Sequence, residues 1–187
     1  IEEISNDQEG SSKMLRLLQG DVGSGKTIVA LFAMMQCIEN NKRSVLMAPT
    51  EILAEQHFNT IKEFINNLNL TCSLITSSNK NNHNFEADII IGTHALFQQK
   101  VTFENIGLVV IDEQHKFGVH QRILLNEKAG NSCDILLMTA TPIPRTMELA
   151  AYGDMDISKI SEKPKNRKEI ITKSCLLYTS PSPRDGW

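Results

Sequence analysis

Short, continuous apolar runs recur along the chain, and polar or small residues follow each one. Runs of this length and composition are typical of strands that are buried on both faces, as in a parallel sheet covered by helices. The predicted strands are residues 14–19, 44–48, 71–76, 87–92, 108–111 and 135–138.

Two longer segments between these runs have helical patterns. Residues 27–39 are apolar almost all round, which predicts a helix that is buried on more than one side. Residues 50–68 predict an amphipathic helix with Thr50 as its N-cap. Its predicted apolar face consists of Leu53, Phe58, Ile61, Ile65 and Leu68. Strands that alternate with helices predict an α/β fold, a mostly parallel sheet with helices on both faces, and ligands at the carboxyl ends of the strands.

Residues 20–27, GDVGSGKT, match the pattern GxxxxGK[ST] at every fixed position. Glycines in such a loop let backbone N–H groups point at phosphate oxygens, and the helix that follows adds the positive end of its dipole. Lys26 then brings an ammonium group to the β- and γ-phosphates, and the Thr27 hydroxyl can bind Mg²⁺. A chance glycine-rich turn is disfavoured, because the pattern lies between a strand and a long apolar helix. The predicted phosphate-binding residues are Gly20, Asp21, Val22, Gly23, Ser24, Gly25, Lys26 and Thr27.

Two carboxylates, Asp112 and Glu113, follow the predicted strand at residues 108–111. In a phosphate-loop protein a carboxylate at such a strand end orders the Mg²⁺ shell, and the adjacent Glu113 is placed to orient and deprotonate a water molecule. A solvated turn explains the pair equally well when it is considered alone. Its position after a phosphate loop favours the metal and water roles.

Three other strand ends carry small hydroxyl residues, namely 49–50, 92–94 and 139–142. The hydroxyls of Thr139 and Thr141 are suited to hydrogen bonds between a nucleotide site and a neighbouring loop. The other two ends have N–H and hydroxyl groups suited to a polynucleotide backbone. An ordinary strand end would be the preferred interpretation of each if it stood alone.

Composition adds little to the choice of function. The 187 residues suit one domain, and the net charge of −3 lends no support to nucleic-acid binding without excluding it. The four cysteines are scattered without a CxxC pair, no apolar run approaches the ~20 residues of a membrane helix, and the polar N-terminus is unlike a secretion signal. These features favour a cytoplasmic protein.

Five segments in order resemble motifs I, Ia, Ib, II and III of the superfamily 2 helicases. They are GDVGSGKT at 20–27, APTEILAEQH at 48–57, GTHAL at 92–96, DEQHKFGV at 112–119 and TATPIPRT at 139–146. The likeness covers about residues 10–174. The sequences of the motifs are most similar to those of the members that remodel branched DNA. It implies a RecA-like domain with ATP and Mg²⁺ as cofactors and forked or branched DNA as partner, acting in recombination and repair.

The resemblance also implies roles for individual residues. Lys26, Glu113, Gln114 and His115 serve catalysis, Thr27 and Asp112 hold Mg²⁺, and the phosphate loop holds ATP. Residues that link the nucleotide state to DNA binding are Gln114, His115, Thr139 and Thr141. Residues expected along the DNA strand are Thr50, Thr93, His94 and Arg145.

The predicted domains are a polar lead-in at 1–13, the first RecA-like domain at 14–158 and the start of a linker at 159–174. Residues 175–187, with their Ser-Pro-Ser-Pro stretch, depart from the family and are expected to be a non-native or disordered tail, with a natural linker as the alternative. A second motor lobe with its arginine finger and an upstream DNA-binding domain are expected outside this chain. We therefore expect very slow ATP hydrolysis and no unwinding by this chain alone.

Three alternatives stay open at this point. The first is the motor lobe of a transcription–repair coupling translocase, although that group usually has a second acidic residue where Gln114 stands. The second is a nucleotide-dependent binding switch without DNA activity. The third is a non-functional fragment, which would self-associate through apolar surface normally covered by a second lobe.

Overall fold

The computed structural model describes residues 1–77, 84–93, 105–113, 133–141 and 155–161. These residues form helices α1 (Glu2–Glu9), α2 (Lys26–Glu39) and α3 (Glu51–Ile65). They also form strands β1 (Leu15–Gly20), β2 (Arg43–Met47), β3 (Cys72–Ile75), β4 (Ile89–Gly92), β5 (Ile106–Ile111), β6 (Asp134–Thr139) and β7 (Asp156–Ile160).

All seven strands belong to one sheet with the order β3-β4-β2-β5-β6-β1-β7. Every neighbouring pair is parallel, so all the carboxyl ends lie along the same edge. The six predicted strands and the parallel α/β architecture are confirmed, with ends that shift by one or two residues. Predicted site residues at different strand ends therefore share one edge of the molecule.

Successive residues of the central strands are buried on opposite faces of the sheet. On one face Leu18, Val110 and Met138 pack with apolar side chains of all three described helices. On the other face Leu17, Val109 and Ile111 belong to a second apolar cluster. Burial on both sides explains why these strands are continuous apolar runs. The three described helices pack on the first face, so the prediction of helices on both faces is tested here for that face alone.

Helix α3 follows its predicted pattern except at its end. The Thr50 side chain accepts a hydrogen bond from the backbone N–H of Leu53, which confirms the predicted N-cap. The predicted face is confirmed for Leu53, Phe58, Ile61 and Ile65, which are buried or pack against the core. Leu68 was wrongly placed on this face: the helix ends at Ile65, and Leu68 is 43% exposed in the turn that follows.

Two elements next to β1, helix α1 and strand β7, have no counterpart among the predicted helices and strands. Residues 2–9 form helix α1, within the segment predicted as a polar lead-in. Strand β7 pairs with β1 from Arg16–Asp156 to Gly20–Ile160, so the sheet runs past the domain boundary predicted after residue 158. The charged sequence DISKI lacks an apolar run, because β7 is a sheet-edge strand with few buried side chains.

The buried Arg16 of β1 joins both of these elements to the sheet. Its guanidinium contacts Asp7 at 2.7 Å and Glu3 at 3.4 Å on α1, and it donates to the Ser158 hydroxyl of β7 at 3.0 Å. Glu3 also accepts a hydrogen bond from the Ser158 hydroxyl. Burial alone lowers the pKa of Arg16, but the surrounding carboxylates, Asp7 foremost, outweigh it and raise the pKa above its usual value. Arg16 is therefore a fully charged, well-paired buried cation.

Cys133 is buried, and Cys72 is partly buried against the core; neither thiol is expected to be reactive. Burial raises the pKa of Cys72 and of Cys133 to about 12, so both are protonated thiols at neutral pH.

Among the described residues, every helix is too short or too polar to cross a membrane.

We expect Arg16→Ala to lower the free energy of unfolding by about 3 kcal/mol, the low end of the cost of breaking a buried ion pair. The low end applies because Glu3 and Asp156 are largely exposed and can be rehydrated, whereas Asp7 is mostly covered. Urea unfolding measures the difference. The matched control is Lys159→Ala, which removes an exposed cation from β7 and should change the unfolding free energy by less than about 0.5 kcal/mol. Equal stability of the two variants would contradict the prediction.

Candidate functional site

The phosphate-loop segment forms a tight turn between β1 and α2. Strand β1 ends at Gly20 and α2 begins at Lys26. Gly23 and Gly25 have φ values of 80° and 91°, in the left-handed region that residues with a Cβ rarely adopt. Gly20 is in a tight place for a different reason, because a Cβ there would lie 2.5 Å from the Ser24 Oγ and 3.1 Å from the Ile160 Cβ, so the Ser24 side chain would have to turn away. Gly23 and Gly25 thus meet a backbone requirement of this turn, and Gly20 leaves room for the Ser24 side chain.

The Lys26 ammonium lies across this loop. Its Nζ donates to the carbonyl oxygens of Gly20 at 2.7 Å and Asp21 at 2.9 Å. Ser24 belongs to the same loop. Its Oγ is buried and has no hydrogen-bond partner within the described part of the chain. A cation and an unpaired hydroxyl therefore both belong to one short turn.

The amino end of α2 is suited to binding an anion. Gly25 is its N-cap, and no side chain caps the helix. The first N–H groups of a helix have no intrahelical acceptor, and the helix dipole gives this end a partial positive charge. Together with Lys26, these groups are suited to a phosphate-like anion.

Asp112 follows β5 and is held at three atoms. Its backbone N–H donates to the carbonyl of Met47 at 2.9 Å, which extends the pairing of β5 with β2. Its Oδ1 accepts from the N–H of Glu113 at 3.0 Å, and its Oδ2 lies 2.7 Å from Nε2 of His57. Glu113 has a φ of +51°, an uncommon conformation for a residue with a side chain and one that concentrates at functional sites.

His57 is a site residue that the sequence predictions missed. It lies on α3 four residues after Leu53 and four before Ile61, in the middle of the stripe that faces the core. A titratable side chain within a buried helical stripe needs a polar partner. The position of His57 in this stripe was the signal that could have identified it. Its partner, Asp112, could not be predicted without the order of the strands in the sheet.

The end of β6 lies between the phosphate loop and Asp112, because β6 pairs with both β1 and β5. The Thr139 Oγ1 accepts from the N–H of Thr141 at 3.2 Å and lies 3.1 Å from the Thr141 hydroxyl. Gln19, which directly precedes the phosphate loop, donates from Nε2 to the Thr141 carbonyl at 3.2 Å. Gln19 therefore connects this turn to β1, a contact that the sequence predictions also missed.

The residues predicted along a DNA strand differ in accessibility. Thr50 is exposed, and its hydroxyl keeps a hydrogen to donate while it caps α3. Thr93 follows β4 and is buried, with 8% of its surface exposed. The strands before these two residues, β2 and β4, are neighbours in the sheet. His94, Gln114, His115 and Arg145 lie outside the described residues.

Within the described ranges, no three His, Cys, Asp or Glu side chains come together as a metal-binding group. A cation at Asp112 would therefore need further ligands from a bound anion and from hydroxyl groups. This is the usual situation for Mg²⁺, which is commonly held by one or two carboxylates together with phosphate oxygens.

Comparison with known proteins relates this chain to helicases. The sequence profile described as DEAD/DEAH box helicase matches residues 3–150. The ATP-dependent DNA helicase RecG of Streptococcus pneumoniae is 50% identical over 182 residues, which cover 92% of this chain and 27% of that protein. The Synechocystis protein of the same name is 46% identical over 190 residues, covering 97% of this chain and 23% of that protein. The chain thus spans about a quarter of the length of these relatives.

Solved structures show the same relationship. A structure of RecG bound to a three-way DNA junction superposes with a TM-score of 0.73 at 42% identity, covering 90% of this chain and 24% of that chain. The Saccharomyces cerevisiae protein Dbp5 superposes with a TM-score of 0.67 at 18% identity, covering 84% of this chain and 46% of that chain. The likeness to Dbp5 shows a shared fold.

We expect Gly25→Ala to lower the free energy of unfolding by about 1–2 kcal/mol, the cost of a left-handed backbone conformation for alanine. The cost is conformational, because a Cβ at Gly25 would meet no atom of the described residues within 4 Å. Urea unfolding without nucleotide measures it. The matched control is Gly25→Asn, which adds more bulk but tolerates the left-handed region better and should lose less stability. An equal or larger loss for Gly25→Asn would show that strain at this φ is not the cause.

Proposed function

The chain belongs to the DEAD/DEAH box helicase family, and on that premise we propose that it is the ATP-binding motor lobe of a DNA helicase that remodels forked and branched DNA in recombination and repair. Relatives named ATP-dependent DNA helicase RecG, with identities of 46–50%, support the choice within the family. The structure of RecG on a three-way junction supports branched DNA as the substrate. We propose that the protein acts in the cytoplasm.

The phosphate loop is the observation that carries the proposal. Two left-handed glycines, an uncapped helix end, the Lys26 ammonium and a buried Ser24 hydroxyl without a partner in the described residues form a cradle that fits a nucleotide's phosphates. We assign ATP to residues 20–27. Lys26 would exchange its bonds to the Gly20 and Asp21 carbonyls for phosphate oxygens, and it would stabilise negative charge during phosphoryl transfer.

We assign Mg²⁺ to Asp112 and Thr27. A Mg²⁺ ion bound with the nucleotide neutralises charge on the phosphates during transfer. Asp112 fits this role because it is a fixed carboxylate at the same sheet edge as the loop, with only β6 between their strands. Glu113, next to it, would orient and deprotonate the attacking water.

We propose that the end of β6 links the nucleotide site to DNA. Thr139 and Thr141 support this assignment because their turn lies between β1 and β5 and is bonded to Gln19 at the start of the loop. Gln114 and His115 are proposed as partners in this link. Thr50, Thr93, His94 and Arg145 are proposed along the DNA strand, with the exposed Thr50 as the best supported of the described pair.

We expect Lys26→Ala to weaken the binding of Mg-ATP at least about tenfold, since a hydrogen bond from a charged group contributes about 1.5–3 kcal/mol. Isothermal titration with ATP in excess Mg²⁺ measures the affinity. The control Lys42→Ala removes a lysine that precedes β2 at the opposite edge of the sheet and should bind like the unaltered chain. Equal affinity of all three proteins would contradict the assignment of ATP to this loop.

We expect the chain to bind a DNA fork more tightly than a linear duplex of the same length, with an affinity that falls as salt rises, because phosphate contacts release counterions. Fluorescence anisotropy over about 50–200 mM salt gives the slope. Arg145→Ala should reduce that slope by about one, as expected for the loss of one phosphate contact, while Lys42→Ala leaves it unchanged.

The same experiment tests the alternative of a nucleotide switch. Binding of ATP without salt-dependent binding to fork or duplex would favour the switch over a DNA motor lobe. Salt-dependent binding that is equal for fork and duplex would contradict the branched substrate alone.

A further inference from the structure

The contact between His57 and Asp112 joins two elements that are far apart in the sequence. The Nε2 of His57 on α3 lies 2.7 Å from Oδ2 of Asp112 after β5. Both side chains are only 12% exposed. A hydrogen bond of this length, with little competition from water, restrains both partners.

This contact completes the set of bonds that orient the Asp112 carboxylate. Its Oδ1 accepts the N–H of Glu113, and its backbone N–H is bonded to Met47. Without the His57 bond, Oδ2 would lose a donor that faces it, and among the described residues the carboxylate would keep the bond from the N–H of Glu113. Each carboxylate oxygen has more than one lone pair, so Oδ2 can accept from His57 and still face a cation.

We propose that His57 is a positioning residue for the nucleotide-bound Mg²⁺, acting through Asp112. This inference rests on the proposed function, because it assumes that Asp112 binds Mg²⁺. Hydrogen bonds to a metal-binding carboxylate fix its direction, and their loss typically lowers metal affinity 10–100-fold. His57 itself need not touch the metal or the nucleotide.

A purely structural role for the contact makes a different prediction. If His57 only fastened α3 to β5, its removal would lower thermal stability and leave the Mg²⁺ requirement of nucleotide binding unchanged. If His57 orients Asp112, its removal shifts the Mg²⁺ requirement, and a side chain that restores a donor near the position of Nε2 recovers it. Glutamine can supply such a donor from its own Nε2, whereas asparagine is one methylene shorter.

The test is to titrate Mg²⁺ into each protein with a fluorescent ATP analogue and to record the Mg²⁺ concentration at half-maximal binding. We expect His57→Ala to raise this concentration about tenfold, while binding of the analogue in excess chelator is unchanged. His57→Gln should recover most of the shift and His57→Asn should not. The matched control Gln56→Ala, at the adjacent exposed position of α3, should behave like the unaltered chain.

A double substitution tests whether His57 acts through Asp112. Asp112→Asn should by itself raise the half-maximal Mg²⁺ concentration, and adding His57→Ala to it should cause little further shift. Two independent shifts that multiply would overturn the proposed route.

The outcomes separate this inference from the proposed function. If the unaltered chain binds the analogue in a Mg²⁺-dependent way and His57→Ala has the same half-maximal concentration, this inference alone is overturned. If the unaltered chain shows no Mg²⁺-dependent binding, the proposed function fails and the inference fails with it. Should His57→Ala be unfolded by circular dichroism, the comparison of His57→Gln with His57→Asn decides, and equal half-maximal concentrations would overturn the inference.

Discussion

Hydrogen bonding of β1 on both of its edges is the constraint on which the site depends. The strand pairs with β6 and β7 at the same time, and at Gln19 it is in register with Thr139 on one side and Lys159 on the other. The phosphate loop begins one residue later, so its starting point is held from two directions. The other end is held by α2, which packs on the sheet. A turn that is fixed at both ends loses less conformational freedom when its N–H groups bind an anion.

Two buried charged groups stabilise this arrangement in different places. Arg16 lies near the amino end of β1 and binds α1 and β7 to that strand through Asp7, Glu3 and Ser158. Asp112 lies at the carboxyl edge and is bonded to α3 and β2 through His57 and Met47. A buried charge without partners would be strongly unfavourable, so each is held by groups from distant parts of the chain. The first pairing serves the fold, and we propose that the second serves the site.

The places where prediction and structure differ have physical causes. Leu68 has the right spacing for the buried face of α3, but the helix ends three residues before it, and helix ends are weakly encoded. Strand β7 was missed because an edge strand buries few side chains, and its place in the sheet depends on backbone pairing with β1. Arg16 interrupts an otherwise apolar run, and only its partners show why a charge is tolerated there.

The sequence by itself determined the features that depend on neighbours along the chain. Apolar runs predicted six buried strands, Thr50 predicted a helix cap, and the spacing of glycines with Lys26 and Thr27 predicted a phosphate-binding turn, because each follows from local backbone and side-chain requirements. Tertiary structure decided which strands are neighbours, and with that the position of the Thr139–Thr141 turn between the loop and Asp112. It alone brought His57 to Asp112 and β7 to β1. Such contacts arise from burial and pairing of elements far apart in the chain, and no local pattern specifies them.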